Sequence, residues 1–180
     1  MLSDFSKELI EFIDKNYRTI ATKQSRAITG FSMGGHGSLW LAFRHTDVFG
    51  SCGSMSGAVD IRIFPFGWKI PELLGDYANN EDTWDEHMVI NQLHKLNPQN
   101  MPSIIIDCGT KDFLYNVNQA LHKKMLYMRI PHEYITRPGG HTHAYWNNAV
   151  DTHIAFFPGF ADVLANPIHG DLHSFPSPFD

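Results

Sequence analysis

The stretch Gly30-Phe31-Ser32-Met33-Gly34 sets a serine between two glycines, just after the apolar pair Ala27-Ile28 and before a helix-like segment, His36 to Arg44. That spacing at a strand-to-helix junction is a nucleophile elbow, G-x-S-x-G. The chain must turn sharply with the serine at its apex, in a strained backbone conformation that holds the hydroxyl clear of the strand. Side chains two positions either side would collide in so tight a turn, so glycine suits both places. The helix that follows aims its free N–H groups at the point where an oxyanion would form. At ordinary glycine and serine usage the pattern arises by chance in about one chain in twenty of this length. The rest of the sequence must therefore supply the partners.

It does so behind two later strands. Cys108-Gly109-Thr110-Lys111-Asp112-Phe113 follows the apolar run Ser103 to Asp107, and Arg137-Pro138-Gly139-Gly140-His141 follows His132 to Thr136. Active sites of parallel α/β sheets form at the carboxyl ends of the strands, and the order Ser32, Asp112, His141 is that of an α/β-hydrolase. A serine hydroxyl needs a base to take its proton, and neutral imidazole is suited to that near pH 7. His141 would accept the proton and return it to the leaving alcohol. Asp112 would hold the ring in the right tautomer. Asp107 is a rival acid and His143 a rival base. Asp107 lies at the end of its strand, earlier than the loop that must reach across, and His143 starts the last helix rather than sitting in the glycine turn. His36, one turn into the elbow helix, reads as a packing or hydrogen-bonding residue.

Alternating strands and helices are needed to carry these turns. Phe5, Leu9, Phe12, Ile13 and Tyr17 give an opening amphipathic helix, with Ser3 or Asp4 as its cap. Strands follow at Arg26 to Thr29 and Phe49 to Ser56, the second rich in small residues and suited to close packing by helices. Within it, Gly53-Ser54-Met55-Ser56-Gly57 copies the glycine spacing but puts methionine at the nucleophile position. Residues 57–102 form a long cap-like insertion. Ile63, Phe64, Phe66 and Trp68 there are either core cover or a wall over the site. Ile104 to Ile106 mark a strand buried on both faces of a parallel sheet. Val117, Leu121, Met125 and Met128 mark a helix stripe, and Ala144 to Phe157 a last helix. The expected class is α/β, about four parallel strands in right-handed units over residues 1–158, with a loosely ordered tail over 159–180.

Composition narrows the function further. At 180 residues, 43% hydrophobic and 18% charged, the chain suits one ordinary globular domain. A net charge of −5 without a basic stripe argues against nucleic acid. No apolar run of about 18 residues is present to cross a membrane. Met1-Leu2-Ser3-Asp4-Phe5 lacks the basic start and apolar block of a signal peptide. Cys52 and Cys108 read as buried thiols, on strands that could be neighbours. Among 11 histidines only His141-Thr142-His143 is closely spaced, and no cysteine or carboxylate cluster beside it suggests zinc. Neither a metal nor another cofactor is expected.

The three motifs Gly30-Phe31-Ser32-Met33-Gly34-Gly35, Cys108 to Phe113 and Pro138-Gly139-Gly140-His141-Thr142-His143-Ala144-Tyr145-Trp146 resemble the esterase family that includes esterase D (S-formylglutathione hydrolase), tributyrin esterases, and acetyl-xylan and feruloyl esterases. The resemblance spans about Phe5 to Phe157, and the secreted-type bacterial esterases look closer than esterase D. It implies an α/β-hydrolase fold with Ser32, Asp112 and His141 as the triad, and hydrolysis of short acyl esters. Phe31, Phe64, Trp68 and Trp146 are the residues expected around a small-molecule or carbohydrate ester. Members of that family carry several strands before the opening helix and a His-Gly loop that supplies one oxyanion donor. Their absence here leaves Met33 N–H as the other donor and Arg26 to Thr29 as an open edge. The expectation is then the C-terminal part of the fold with its N-terminal strands absent. It would be a fragment of a longer esterase, or a truncated product that pairs its edge with another chain, a homo-oligomer among the outcomes. Any targeting signal would lie on the missing front, which leaves the compartment open.

Three readings compete: a serine carboxylesterase, an esterase-like domain crippled by loss of the oxyanion loop, and a flavodoxin-like module in which glycines cradle phosphate. The last is weakened because no G-x-G-x-x-G or Walker pattern follows a strand. Acyl transfer and thioester hydrolysis would use the same triad.

Overall fold

The computed structural model describes residues 7–158. The proposed loose tail over 159–180, and Ser3, Asp4 and Phe5 at the front, lie outside the described residues. Among the described residues helix α1 (Glu8–Asn16) comes first, with Lys7 at its N-cap position and no fully buried residue. Strand β1 (Ala27–Ile28) leads through the serine turn into helix α2 (Met33–Arg44), and β2 (Ser51–Met55) follows. Residues 57–102 carry α3 (Ile70–Leu74), α4 (Glu81–His87) and short 3₁₀ turns. Strand β3 (Ser103–Gly109), helix α5 (Tyr115–Tyr127), strand β4 (Glu133–Arg137) and helix α6 (His143–Phe156) complete the order.

The strands form one parallel sheet in the order β1-β2-β3-β4. Alternation along β2 sorts the two faces. Ser54 faces α2, where a Cβ on Gly35 would come within 2.6 Å of its hydroxyl. Gly53 faces α6, packed against the ring of His153. Small residues in β2 are what let both helices approach this closely. On the α2 face the core joins Leu39, Phe43, Cys52, Ile104, Ile106, Leu121 and Met125. On the other face Met55 packs with Tyr145, Trp146 and Ala149. Ala58, Val59, Ile61, Trp84, Met88 and Leu93 bring residues 57–102 into the larger core. Arg62 braces that segment, paired with Asp60 and, at 2.7 Å, with Asp85.

Element ends move by one to three residues from the sequence expectations. The first strand shortens to Ala27–Ile28, because the chain leaves it to build the elbow and rejoins the ladder at Phe31, bridged to Met55. The elbow helix starts at Met33 rather than His36, directly behind the serine. The third strand runs on to Gly109, since Asp107, Cys108 and Gly109 pair with Ile135, Thr136 and Arg137. Cys52 and Cys108 are buried free thiols on adjacent strands, and burial pushes the Cys108 thiol up to about 12. Among the described residues no helix is long and apolar enough to cross a membrane, and no group of three or more His, Cys, Asp or Glu could hold a metal ion.

Candidate active site

Ser32 has φ 55° and ψ −121°, left-handed backbone that a side-chain-bearing residue adopts only under constraint. Two hydrogen bonds to β2 impose it: Ser32 N–H donates to Met55 O at 2.9 Å, and Met55 N–H donates to Gly30 O at 2.9 Å. Gly30 is required sterically, as a Cβ there would come within 2.7 Å of the Gly34 carbonyl carbon. Met33, the first residue of α2, has an N–H without an intrahelical acceptor, directed as the helix dipole directs it.

His141 meets the serine from the loop between β4 and α6. Its Nε2 lies 2.9 Å from Ser32 Oγ, and its Nδ1 lies 2.9 and 3.1 Å from the two oxygens of Asp112. With the ring proton on Nδ1, where the carboxylate accepts it, Nε2 is left to accept the serine O–H. Asp112 is itself fixed by the Leu114 N–H, which donates to Oδ1 at 2.9 Å, and its side chain is fully buried. The loops carrying Asp112 and His141 are stitched together. Thr110 N–H donates to Arg137 O at 2.9 Å, and Lys111 N–H to Gly139 O at 2.8 Å.

The rivals are occupied elsewhere. Asp107 lies inside β3 on the α6 face, where it accepts the Tyr145 hydroxyl and pairs with Arg137. His143 opens α6 and packs edge-on against Phe31 and Trp146. His36 is buried with Nδ1 2.8 Å from Ala58 O, and burial lowers its pKa.

Two groups of rings flank Ser32 and His141. Phe31 stacks on Trp146 at 4.3 Å, and Trp146 stands edge-on to His141 at 4.8 Å. In a second group Phe64, Trp68 and Phe113 pack together, with Phe113 4.6 Å from the His141 ring. Trp68 and the next residue, Lys69, both have positive φ, a strained stretch that carries this ring group. Ile63 and Phe66 do not join it, and Phe66 is 85% exposed. Phe113 is the residue that sequence reasoning missed. Its only signal was its place directly after Asp112.

The chain matches the family model described as "Putative esterase" over residues 2–157. It is 29% identical over 157 residues to Esterase MT1326 of Mycobacterium tuberculosis (strain CDC 1551 / Oshkosh), covering 74% of this chain and 34% of that protein. It is 29% identical over 114 residues to the endo-1,4-beta-xylanase/feruloyl esterase of Xylanibacter ruminicola, covering 63% of this chain and 12% of that one. A solved ferulic acid esterase superposes with a TM-score of 0.74 at 27% identity, over 88% of this chain and 60% of its own. The chain thus spans about a third or less of the length of these two curated relatives. Four parallel strands with flanking helices and this superposition make the fold that of the α/β-hydrolase esterases. With a family match over most of its length, the chain belongs to the Putative esterase family.

Proposed function

We propose that this protein is a serine carboxylesterase that hydrolyses short acyl esters through an acyl-enzyme. Ser32 Oγ attacks the ester carbonyl as its proton passes to His141 Nε2. The tetrahedral oxyanion is met by the Met33 N–H at the start of α2. Collapse breaks the bond to the alcohol, which leaves with the proton from His141. A water then repeats the sequence on the acyl-serine, giving the acid and free Ser32. Throughout, Asp112 keeps the ring proton on Nδ1 and stabilises the imidazolium. The observation that carries this reading is the single line of contacts, 2.9 Å from Ser32 Oγ to His141 Nε2 and 2.9 Å from His141 Nδ1 to Asp112.

The substrate class we favour is acetyl or feruloyl esters of carbohydrate. An aromatic acyl group would find two groups of rings in contact with His141, Phe31 with Trp146 and Phe64 with Trp68 and Phe113. The names of the Xylanibacter relative and of the superposed ferulic acid esterase support the same choice.

A fluorophosphonate probe, together with p-nitrophenyl acetate turnover, tests the mechanism. Ser32 should be the labelled residue, and Ser32→Ala should lose labelling and hydrolysis together. Equal rates in the two proteins would end this assignment.

A further inference from the structure

Asp107 is a buried carboxylate that the reaction above does not use. Its side chain, fully buried in β3, accepts the Tyr145 hydroxyl on Oδ1 and pairs with the Arg137 guanidinium on Oδ2. Arg137 also donates to Thr152 Oγ1 in α6 at 3.0 Å. The two partners of Asp107 bracket the active-site histidine. Arg137 ends β4, four residues before His141, and Tyr145 stands in the first turn of α6, four residues after it. A single carboxylate therefore grips both ends of the segment that carries His141.

The backbone around it leaves little slack. Gly139 has φ 148°, a conformation that favours glycine, and a Cβ there would come within 2.5 Å of Tyr145 Cδ2. Gly109 is as tightly pressed against the Gly139 carbonyl. The Tyr145 ring thus fills the inside of the His141 turn while its hydroxyl is held from below. For stability alone, apolar residues in place of Asp107, Arg137 and the Tyr145 hydroxyl together would serve as well, because burying an ion pair costs about as much as the pairing returns. A buried carboxylate held by a hydroxyl and a guanidinium instead fixes direction.

We propose that Asp107, Tyr145 and Arg137 are positioning residues that set the His141 turn so that Nδ1 faces Asp112 while Nε2 faces Ser32. The proposal rests on the esterase reading above. Groups of this kind, one contact removed from the reacting atoms, typically lower activity about tenfold to a hundredfold when removed.

The test uses the full chain with Tyr145→Phe and Asp107→Asn. Three quantities are measured: p-nitrophenyl acetate kinetics, the rate of fluorophosphonate inactivation, and the proton NMR signal of the His141 Nδ1–H. Both variants should lower kcat about tenfold or more with KM changed less than about twofold, as for an interaction that matters only in the transition state. The Nδ1–H signal should shift or broaden. Ile154→Ala, a truncation in the same helix but outside the cluster of Met55, Tyr145, Trp146 and Ala149, should lower thermal stability and leave kcat and the signal unchanged. If Asp107→Asn fails to fold with Arg137 left unpaired, Tyr145→Phe decides alone, since it removes one hydroxyl. Wild-type kcat and an unmoved signal in Tyr145→Phe would overturn the positioning role, as would an equal loss in Ile154→Ala. A wild-type protein that never labels at Ser32 would overturn the esterase reading instead, and this role with it.

Discussion

Gly53 of β2 and His153 of α6 meet so closely that a Cβ on the glycine would lie 2.5 Å from the imidazole Nδ1. Helix α6 can seat on the sheet only because that side chain is missing, and the His141 turn leads straight into α6. Gly53→Ala should therefore push the helix outward. We expect a loss of about 1–3 kcal/mol in urea unfolding and a fall in esterase turnover beyond what the stability change explains. Gly37→Ala is the matched control. A Cβ at Gly37 meets nothing within 4 Å, and the position is inside α2. There the same substitution should stabilise by about 0.5–1 kcal/mol. If both variants lose stability alike, the close approach of α6 is not what Gly53 provides.

His153 also makes the fold sensitive to acid. Its ring is fully buried, Nδ1 lies 3.0 Å from Thr29 Oγ1, and Nε2 has no partner among the described residues. Burial first, and the positive charge of Arg137 second, lower its pKa from 6.5 to about 4. In the unfolded chain the ring returns to the ordinary value, so between pH 6.5 and 4 the unfolded state binds the extra proton. The contribution is complete above about 6.5 and is lost as pH falls toward 4, by up to about 3 kcal/mol. His153→Gln keeps a partner for Thr29 and does not titrate. Its unfolding free energy should vary much less over that window. An unchanged pH slope in the variant would assign the acid sensitivity to other groups.

Much of this arrangement could be read in the sequence because punctuation and polarity agreed. Each of Ser32, Asp112 and His141 stands in a glycine-containing turn just past an apolar run, and side chains so placed converge at one end of a parallel sheet. What could not be read depends on contacts between distant residues. The polarity of Asp107 marked the end of a strand, yet β3 continues past it because Tyr145 and Arg137 satisfy the carboxylate inside the sheet. The helix-like pattern began only at His36, whereas the positive φ of Ser32 makes the whole turn and lets α2 start at Met33. His153 sits beside Ile154 in an apolar stripe, and nothing local shows that it faces a glycine on β2.

The sheet edge makes its own prediction. Among the described residues β1 pairs only with β2, and beside it a groove of about 380 Å³ is lined by Leu9, Ile10, Ile13, Ile20, Ile28 and Phe49. Unpaired strand edges next to apolar surface recruit further strands. This chain on its own should therefore self-associate through the β1 edge as concentration rises, seen as a mass above 20.5 kDa by light scattering. Ile20, 71% exposed at the groove, gives the check: Ile20→Lys should weaken the association. A monomer at all concentrations would show that the edge is not used in this way.

The last prediction concerns the choice of acyl group. Phe113 is half exposed, follows the Asp112 that holds His141, and touches His141, Phe64 and Trp68 at once. It is the member of the second ring group that touches His141, so an aromatic acyl group on Ser32 that reached this group would contact it while an acetyl group would not reach as far. Ring–ring contacts contribute about 0.5–1.5 kcal/mol beyond the area they bury. Phe113→Leu keeps an apolar side chain beside the histidine but removes the ring. It should lower kcat/KM for methyl ferulate about threefold to tenfold, mostly through KM, and leave p-nitrophenyl acetate turnover close to wild type. Phe64→Leu, one ring further from His141, should shift the same ratio less. Equal losses on both substrates would mean that Phe113 supports His141 and takes no part in selecting the acyl group.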